Sequence, residues 1–177
     1  MQRSFSSLRF RLMVGIGGGA PSSKHDIRLG DVVVSSPANG GPAVIHYEFG
    51  KTVQDREFKP TGILASPPTA LLTVLSTVEA RHRLRGHRIQ HTISKIGRAY
   101  PLLKATIARP DEFTDILIKS RFMHQDPRQS CQDLGCITED NTISRLPRHG
   151  DANDPQIHYG LIASADRVMK MLALAID

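Results

Sequence analysis

Short apolar runs in the first third of the chain predict strands of a sheet. Residues 9–15 form a nearly continuous apolar run that stops at a glycine-rich segment, residues 15–19. Residues 32–34 are three valines, whose β-branched side chains favour a strand. Because both runs are apolar without alternation, we expect two buried, central strands. Residues 43–49, bounded by glycine and proline, are a third extended candidate.

Two helices are predicted in the middle of the chain. Ser66 precedes two prolines and would cap a helix, because proline suits the first helical position. One face of this helix then carries Leu71, Leu72, Leu75 and Val78. Gly86 is placed to end it. A second helix is predicted over residues 89–103, interrupted at Gly97 and Pro101.

The remaining pattern completes an α/β organisation. No period persists through residues 105–154, which we interpret as an irregular insertion. Residues 157–163 are again apolar and predict a buried strand, followed by a helical tail to Asp177. Alternating strands and helices predict an α/β fold around a mostly parallel or mixed sheet. At 177 residues, the chain has the length of one domain.

The positive charge is concentrated in one segment. The formal charge is +6, and between Glu79 and Asp111 there is no acidic residue. The basic residues there are Arg81, Arg83, Arg85, Arg88, Lys95, Arg98, Lys104 and Arg109. Such a block either contacts phosphates or is a solvated helix face. Without tryptophan and with 5% aromatic residues, the chain has few rings for stacking bases, so the solvated face is favoured and nucleic acid is not the expected partner.

The glycine cluster at residues 15–19 is the most informative local feature. Glycines after a strand let the backbone approach a ligand closely. A dinucleotide site is disfavoured because Pro21-Ser22-Ser23 stands where the phosphate-binding helix would begin, and the Gly-Lys-Ser/Thr of a P-loop is absent. The alternative is a tight strand exit that binds no ligand.

Three segments together resemble the nucleoside phosphorylase and nucleosidase superfamily. They are residues 12–19 (LMVGIGGG), 26–34 (DIRLGDVVV) and 159–166 (YGLIASAD). The superfamily includes purine nucleoside and uridine phosphorylases and methylthioadenosine nucleosidases. The similarity is greatest to the fungal version found in multidomain proteins with ankyrin, tetratricopeptide or NACHT-type regions. It covers residues 4–52 and 155–170 well and the intervening part loosely.

The resemblance implies a three-layer α/β sandwich around a mixed sheet, with a nucleoside or purine base bound at the strand ends. Phosphate would be a co-substrate in the phosphorylases, and association into a homo-oligomer is a further expectation. The residues implied to bind substrate are Gly15, Ile16, Gly17, Gly18, Ser164, Ala165, Asp166, Val168 and Met169.

The same resemblance implies an incomplete domain. The match begins after the family's first βαβ unit and ends before its Met-Glu ribose clamp and the aspartate that protonates the purine. We therefore expect an internal fragment, inactive alone, with no catalytic residue assigned. Ile16 replaces a common hydroxyl residue, and Val168 offers no ring to the base. The alternatives are a nucleoside-binding sensor domain of a receptor-like protein and a basic nucleic-acid-binding protein.

The remaining candidate chemistry is weaker. Cys131 and Cys136, with His124 and His149, could form a metal knuckle, but their spacing is not typical of zinc ligands, so free thiols, no metal and no resident cofactor are expected. Asp26 and Asp31 are expected to pair with Arg28 or cap a loop. Two cysteines and no apolar 18-residue run predict a cytoplasmic location without membrane association.

Overall fold

The computed structural model describes residue 7 and residues 9–37, 41–51, 59–63, 67–111, 114–126, 128–148 and 154–165. The strands are β1 (Val32–Ser35), β2 (Val44–Lys51), β3 (Lys59–Ile63), β4 (Ile157–Gly160) and β5 (Ile162–Ser164). The helices are α1 (Thr69–Arg85), α2 (Ile89–Ala99) and α3 (Lys104–Ile107), with a 3-10 turn at Pro101–Leu103 between the last two.

The strands form two small sheets that meet at Leu161. β4 pairs in parallel with β1, and β5 pairs in parallel with β2, which in turn pairs antiparallel with β3. Only Leu161 separates β4 from β5. On either side of it, the Ser36 amide donates to the Gly160 carbonyl (2.9 Å) and the Ile162 amide donates to the Ala43 carbonyl (3.1 Å). Residues 157–164 therefore pair in parallel first with β1 and then with β2.

Several predicted elements are confirmed. β1 and β2 form where the valine run and residues 43–49 predict strands, and the strand predicted over 157–163 is present as β4 and β5. α1 ends as expected at Gly86, whose φ of 69° suits glycine and whose amide donates to the His82 carbonyl. Helices and strands in mixed parallel and antiparallel arrangement establish an α/β fold.

Other expectations were wrong or incomplete. Residues 9–15 form no strand but an exposed irregular segment, because no described strand lies beside them to complete their hydrogen bonds. β1 has β4 as its one partner among the described strands and its valines are partly exposed, so it is not central. α2 continues through Gly97, and the chain turns only at Pro101.

The N-terminal cap and the C-terminal helix cannot be compared with the structure. Ser66 and residues 166–177 lie outside the described residues. Pro68 stands at the position before α1, with an extended ψ of 141°.

Little apolar surface is buried. Among the described hydrophobic residues, Ala43 and Cys136 alone are buried, at 3% and 4% exposure. Neither α1 nor α2 contains a buried residue. Within the described ranges no helix combines the length and the apolar character needed to cross a membrane. The contacts that organise the chain are consequently strand pairing and polar side-chain interactions.

Candidate functional site

The strand end predicted to bind a nucleoside is formed by β5. Ser164 is the last residue of β5 and lies opposite His46 of β2 in the parallel register. Its side chain is exposed, and Ala165, which follows, is half-buried. The other predicted residues near this end, Asp166, Val168 and Met169, lie outside the described residues.

The glycine segment predicted to face this strand end is exposed. A Cβ atom added at Gly15, Gly17 or Gly18 would meet no atom within 4 Å, and the Ile16 side chain is fully exposed. None of these glycines has a positive φ. Their backbone is therefore open to solvent, and the structure does not bring them into contact with Ser164 or Ala165.

A partly buried charged cluster surrounds Asp31, the residue before β1, and we call it the Asp31 cluster. Its members are Asp26, Arg28, Asp31, Asp115, Arg145, Arg148 and His158. The Asp31 carboxylate is completely buried and accepts hydrogen bonds from Arg148 Nη1 (2.9 Å) and the amides of Arg28 (2.8 Å) and Gln156 (3.0 Å). His158 Nε2 stands 3.0 Å from the same carboxylate.

Two ion pairs extend the Asp31 cluster. Arg28 Nη2 lies 2.6 Å from Asp26 Oδ2, and Arg145 Nη2 lies 2.9 Å from Asp115 Oδ1. The predicted pairing of Arg28 with Asp26, and the loop-capping role of Asp31, are confirmed. The cluster joins residues 26–31, Asp115, the 145–148 segment and β4 into one unit.

The electrostatics of Asp31 indicate a structural role. Burial by itself raises the pKa of this carboxyl, but the hydrogen bonds from Arg148, from the Gln156 and Arg28 amides and from His158 outweigh burial and hold the pKa well below its usual range. A permanently ionised carboxylate with no solvent-accessible surface offers no oxygen to a substrate. We therefore assign no catalytic role to the Asp31 cluster.

A second cluster groups three potential metal ligands, and we call it the thiol cluster. Its members are His124, Cys131 and Cys136, whose donor atoms all lie within 4.8 Å of one another. Cys136 is buried, Cys131 is half-buried and His124 is exposed. Both cysteines are free thiols. Burial raises the pKa of the Cys136 thiol, and the neighbouring Cys131 raises it further.

The sequence analysis named these residues as a possible metal knuckle but did not favour it, because their spacing is not typical of zinc ligands. The Cys-x4-Cys spacing is visible in the sequence, but His124 is brought to the thiols by the path of the loop. His149, which the sequence also offered, lies outside the described residues.

The basic segment lies largely on exposed helical surface, but Arg109 is half-buried and its Nε donates to the Leu29 carbonyl at 2.8 Å. Arg81, Arg83, Arg85, Arg88, Lys95 and Arg98 are exposed on α1, α2 and the turn between them. Arg83 pairs with Glu79 one turn earlier, at 2.6 Å. Beside this pair, Ser76, Glu79, Ala80 and Arg83 line a shallow groove of about 240 Å³.

Comparison with known proteins finds a partial match to a fungal NLR-like protein. No family model and no solved structure matches the chain. A "Nucleotide-binding leucine-rich repeat (NLR)-like protein" of Hyaloscypha variabilis is 52% identical over 84 residues, which are 48% of this chain and 8% of that protein. The matched region is thus a small part of a much longer fungal NLR-like protein.

Proposed function

We propose that this chain is part of a nucleoside phosphorylase-like α/β domain that binds purine nucleosides for an NLR-like receptor protein, and that the chain itself does not cleave them. The observation that supports the proposal is that residues 157–164 pair in parallel first with β1 and then with β2. In open α/β sheets, ligands bind at the carboxyl ends of parallel strands. The motif YGLIAS occupies this strand and ends at Ser164.

The similarity to an NLR-like protein supports the receptor part of the proposal. That relative is 52% identical over 84 residues, and the sequence motifs resemble the fungal phosphorylase-like domain of multidomain proteins. A domain that reports the presence of a ligand needs affinity and selectivity but no turnover. The departures at Ile16 and Val168 from the family pattern fit such a role.

The proposed ligand contacts come from two segments. The amides of residues 15–18 would donate to the sugar hydroxyls, since glycines leave the backbone free to approach a ligand. Ser164 and Ala165, with Asp166, Val168 and Met169, would contact the base. Binding would order the exposed glycine segment over the strand end. Glycosidic cleavage would further need a general acid at the leaving purine, a role to which we assign no residue.

The test is calorimetric titration of the purified chain with adenosine, inosine, methylthioadenosine and uridine, each with and without phosphate. We expect binding of a purine nucleoside, with turnover below about 1 s⁻¹, the lower end of ordinary enzyme rates. Gly17→Val should abolish binding, because its branched side chain would occupy ligand space. It should leave the fold intact, since a Cβ at this position meets nothing within 4 Å.

The matched control replaces Arg83 and Arg85 of α1 by Ala, since neither residue is among the proposed ligand contacts. Nucleoside affinity should be unchanged. Equal affinity in the folded Gly17→Val variant and the parent would remove the pocket assignment. A salt-dependent affinity for RNA or DNA that falls in the arginine variant would instead favour the nucleic-acid alternative.

A further inference from the structure

The loop that carries the thiol cluster is closed at its base. Ile118 and Thr142 form an antiparallel bridge. Around it, the Lys119 amide donates to the Asn141 carbonyl and the Ile143 amide donates to the Leu117 carbonyl, both at 2.8 Å. His124, Cys131 and Cys136 all lie in the loop between these two short segments. The closure limits how far the three side chains can separate.

A tight turn brings the two thiols together. The Cys136 amide donates to the Cys131 carbonyl at 2.9 Å, and Gly135 reverses the chain with a φ of 59°. Ser130 fixes the start of the turn, because its hydroxyl donates to the Asp133 carboxylate (2.6 Å) while the Asp133 amide donates back to it (3.2 Å). After the turn, the Asn141 amide group donates to the Cys136 carbonyl at 3.3 Å.

The donor set selects the metal. Two sulfurs and one imidazole nitrogen are the ligands of Zn²⁺ and related soft cations, whereas Ca²⁺ and Mg²⁺ prefer oxygen. Donors around a tetrahedral zinc stand about 3.5–3.8 Å apart, as follows from Zn–S and Zn–N bonds of about 2.3 and 2.1 Å. The donors here lie within 4.8 Å of one another. Small side-chain rotations would bring all three to bonding distance.

The surroundings leave room for the fourth ligand. Beside Cys136 is a cavity of about 120 Å³ lined by Phe122, Gln125, Leu134, Gly135 and Cys136. A water molecule has a volume of about 30 Å³ in the liquid, so the cavity admits one. The imidazole of His124 is exposed, so solvent reaches the site.

We propose that His124, Cys131 and Cys136 bind one zinc ion, with water as the fourth ligand, and that the ion fixes the conformation of the loop between Lys119 and Asn141. Binding releases the two thiol protons to solvent, because cysteine ligates as the thiolate. The ion replaces the apolar core that this loop lacks, Cys136 being its one buried hydrophobic residue among those described.

The experiment combines metal analysis with cobalt substitution of the full chain. The purified protein should contain one zinc per chain by elemental mass spectrometry. After chelation, Co²⁺ should give a thiolate-to-cobalt charge-transfer absorption and the intense visible bands of tetrahedral cobalt. Zinc should restore the colourless form and protect both thiols from alkylation. Absence of the charge-transfer band in the parent chain overturns the proposal without reference to any variant.

Variants assign the ligands. Cys131→Ser and His124→Ala should each lower zinc affinity at least about tenfold, measured by competition with a chromogenic chelator. His91→Ala, which removes an exposed histidine on α2, should leave the affinity unchanged. Parental zinc affinity in Cys131→Ser, measured with both variants kept reduced, overturns the assignment.

Discussion

Asp31 shows how one buried charge can hold together segments that are distant in sequence. Its carboxylate is fully buried and accepts hydrogen bonds from Arg148 and from two backbone amides. His158 Nε2 lies 3.0 Å from the same carboxylate. Removing one partner of such a group leaves the others desolvated without compensation. The carboxylate therefore stabilises the fold by accepting hydrogen bonds from an arginine and two amides.

Asp31→Asn is predicted to destabilise the chain by about 3–5 kcal/mol, the usual cost of breaking a buried ion pair. The free energy of unfolding in urea measures this at neutral pH. As a control, Asp126→Asn removes an ion pair whose Arg128 side chain is exposed, and should cost less than about 1 kcal/mol. Comparable losses in the two variants would contradict the role given to Asp31.

The same carboxylate sets a dependence of stability on pH. Because the folded-state pKa of Asp31 is lowered from the model-compound value of 3.8, its contribution is complete above that value. The contribution is lost as the pH falls through 3.8 towards the lower folded pKa. The parent should lose stability in this acidic range more steeply than Asp31→Asn, when both are measured by urea unfolding at several pH values.

At the scale of elements, a hydrogen bond links α1 to the sheet. His82 Nδ1 on α1 lies 2.8 Å from the Tyr159 hydroxyl on β4. Their rings lie 6.5 Å apart in a tilted arrangement. Since no residue of α1 is fully buried, we expect this hydrogen bond to help fix the helix against β4.

Tyr159→Phe is predicted to lower the free energy of unfolding by about 0.5–1.5 kcal/mol, the net value of one hydrogen bond. Circular dichroism during thermal or urea unfolding checks this. Tyr100→Phe is the control, because the Tyr100 side chain is 62% exposed and the lost hydroxyl faces solvent. No difference between the two variants would show that the His82 contact does not hold α1.

The elements that the sequence predicts correctly have local signals. Three consecutive valines identify β1, because β-branched side chains favour an extended backbone. Gly86 identifies the end of α1, because glycine readily adopts the positive φ found there. β3 (Lys59–Ile63) is missed because its residues show no apolar pattern and form a strand only by pairing with β2. Residues 9–15 have the strand composition but no described partner strand. The thiol cluster depends on a loop closed by residues 118 and 142, a contact that spacing cannot reveal.

At the scale of the molecule, the described surface is unusually apolar. Leu12, Met13 and Val14 are 80%, 102% and 91% exposed and follow one another along the chain. Each such side chain contributes roughly 1.5–3 kcal/mol when it becomes fully buried. An exposed run of this kind drives association with any apolar surface that can cover it.

We therefore predict that the purified chain self-associates and unfolds over a broad temperature range. Replacing Leu12, Met13 and Val14 by serine should weaken association at least about tenfold, equivalent to 1.4 kcal/mol. Light scattering after size-exclusion chromatography measures this. Leu102→Ser, at a residue 96% exposed elsewhere, should have a smaller effect. A monodisperse monomer with a sharp cooperative melt would contradict the prediction.

The successive pairing of residues 157–164 with β1 and then β2 has a consequence for the order of folding. β1 and β2 do not pair with each other, and each pairs instead with residues 157–164. Asp31 and Gln156, which share a hydrogen bond, are 125 residues apart in the chain. Contacts of such long range are slow to form, because the intervening chain must first be closed into a loop. During synthesis, β1 and β2 cannot form their parallel pairings until the β4–β5 segment has left the ribosome. The early strands are therefore exposed to chaperones, proteases and aggregation while residues 64–156 are being synthesised.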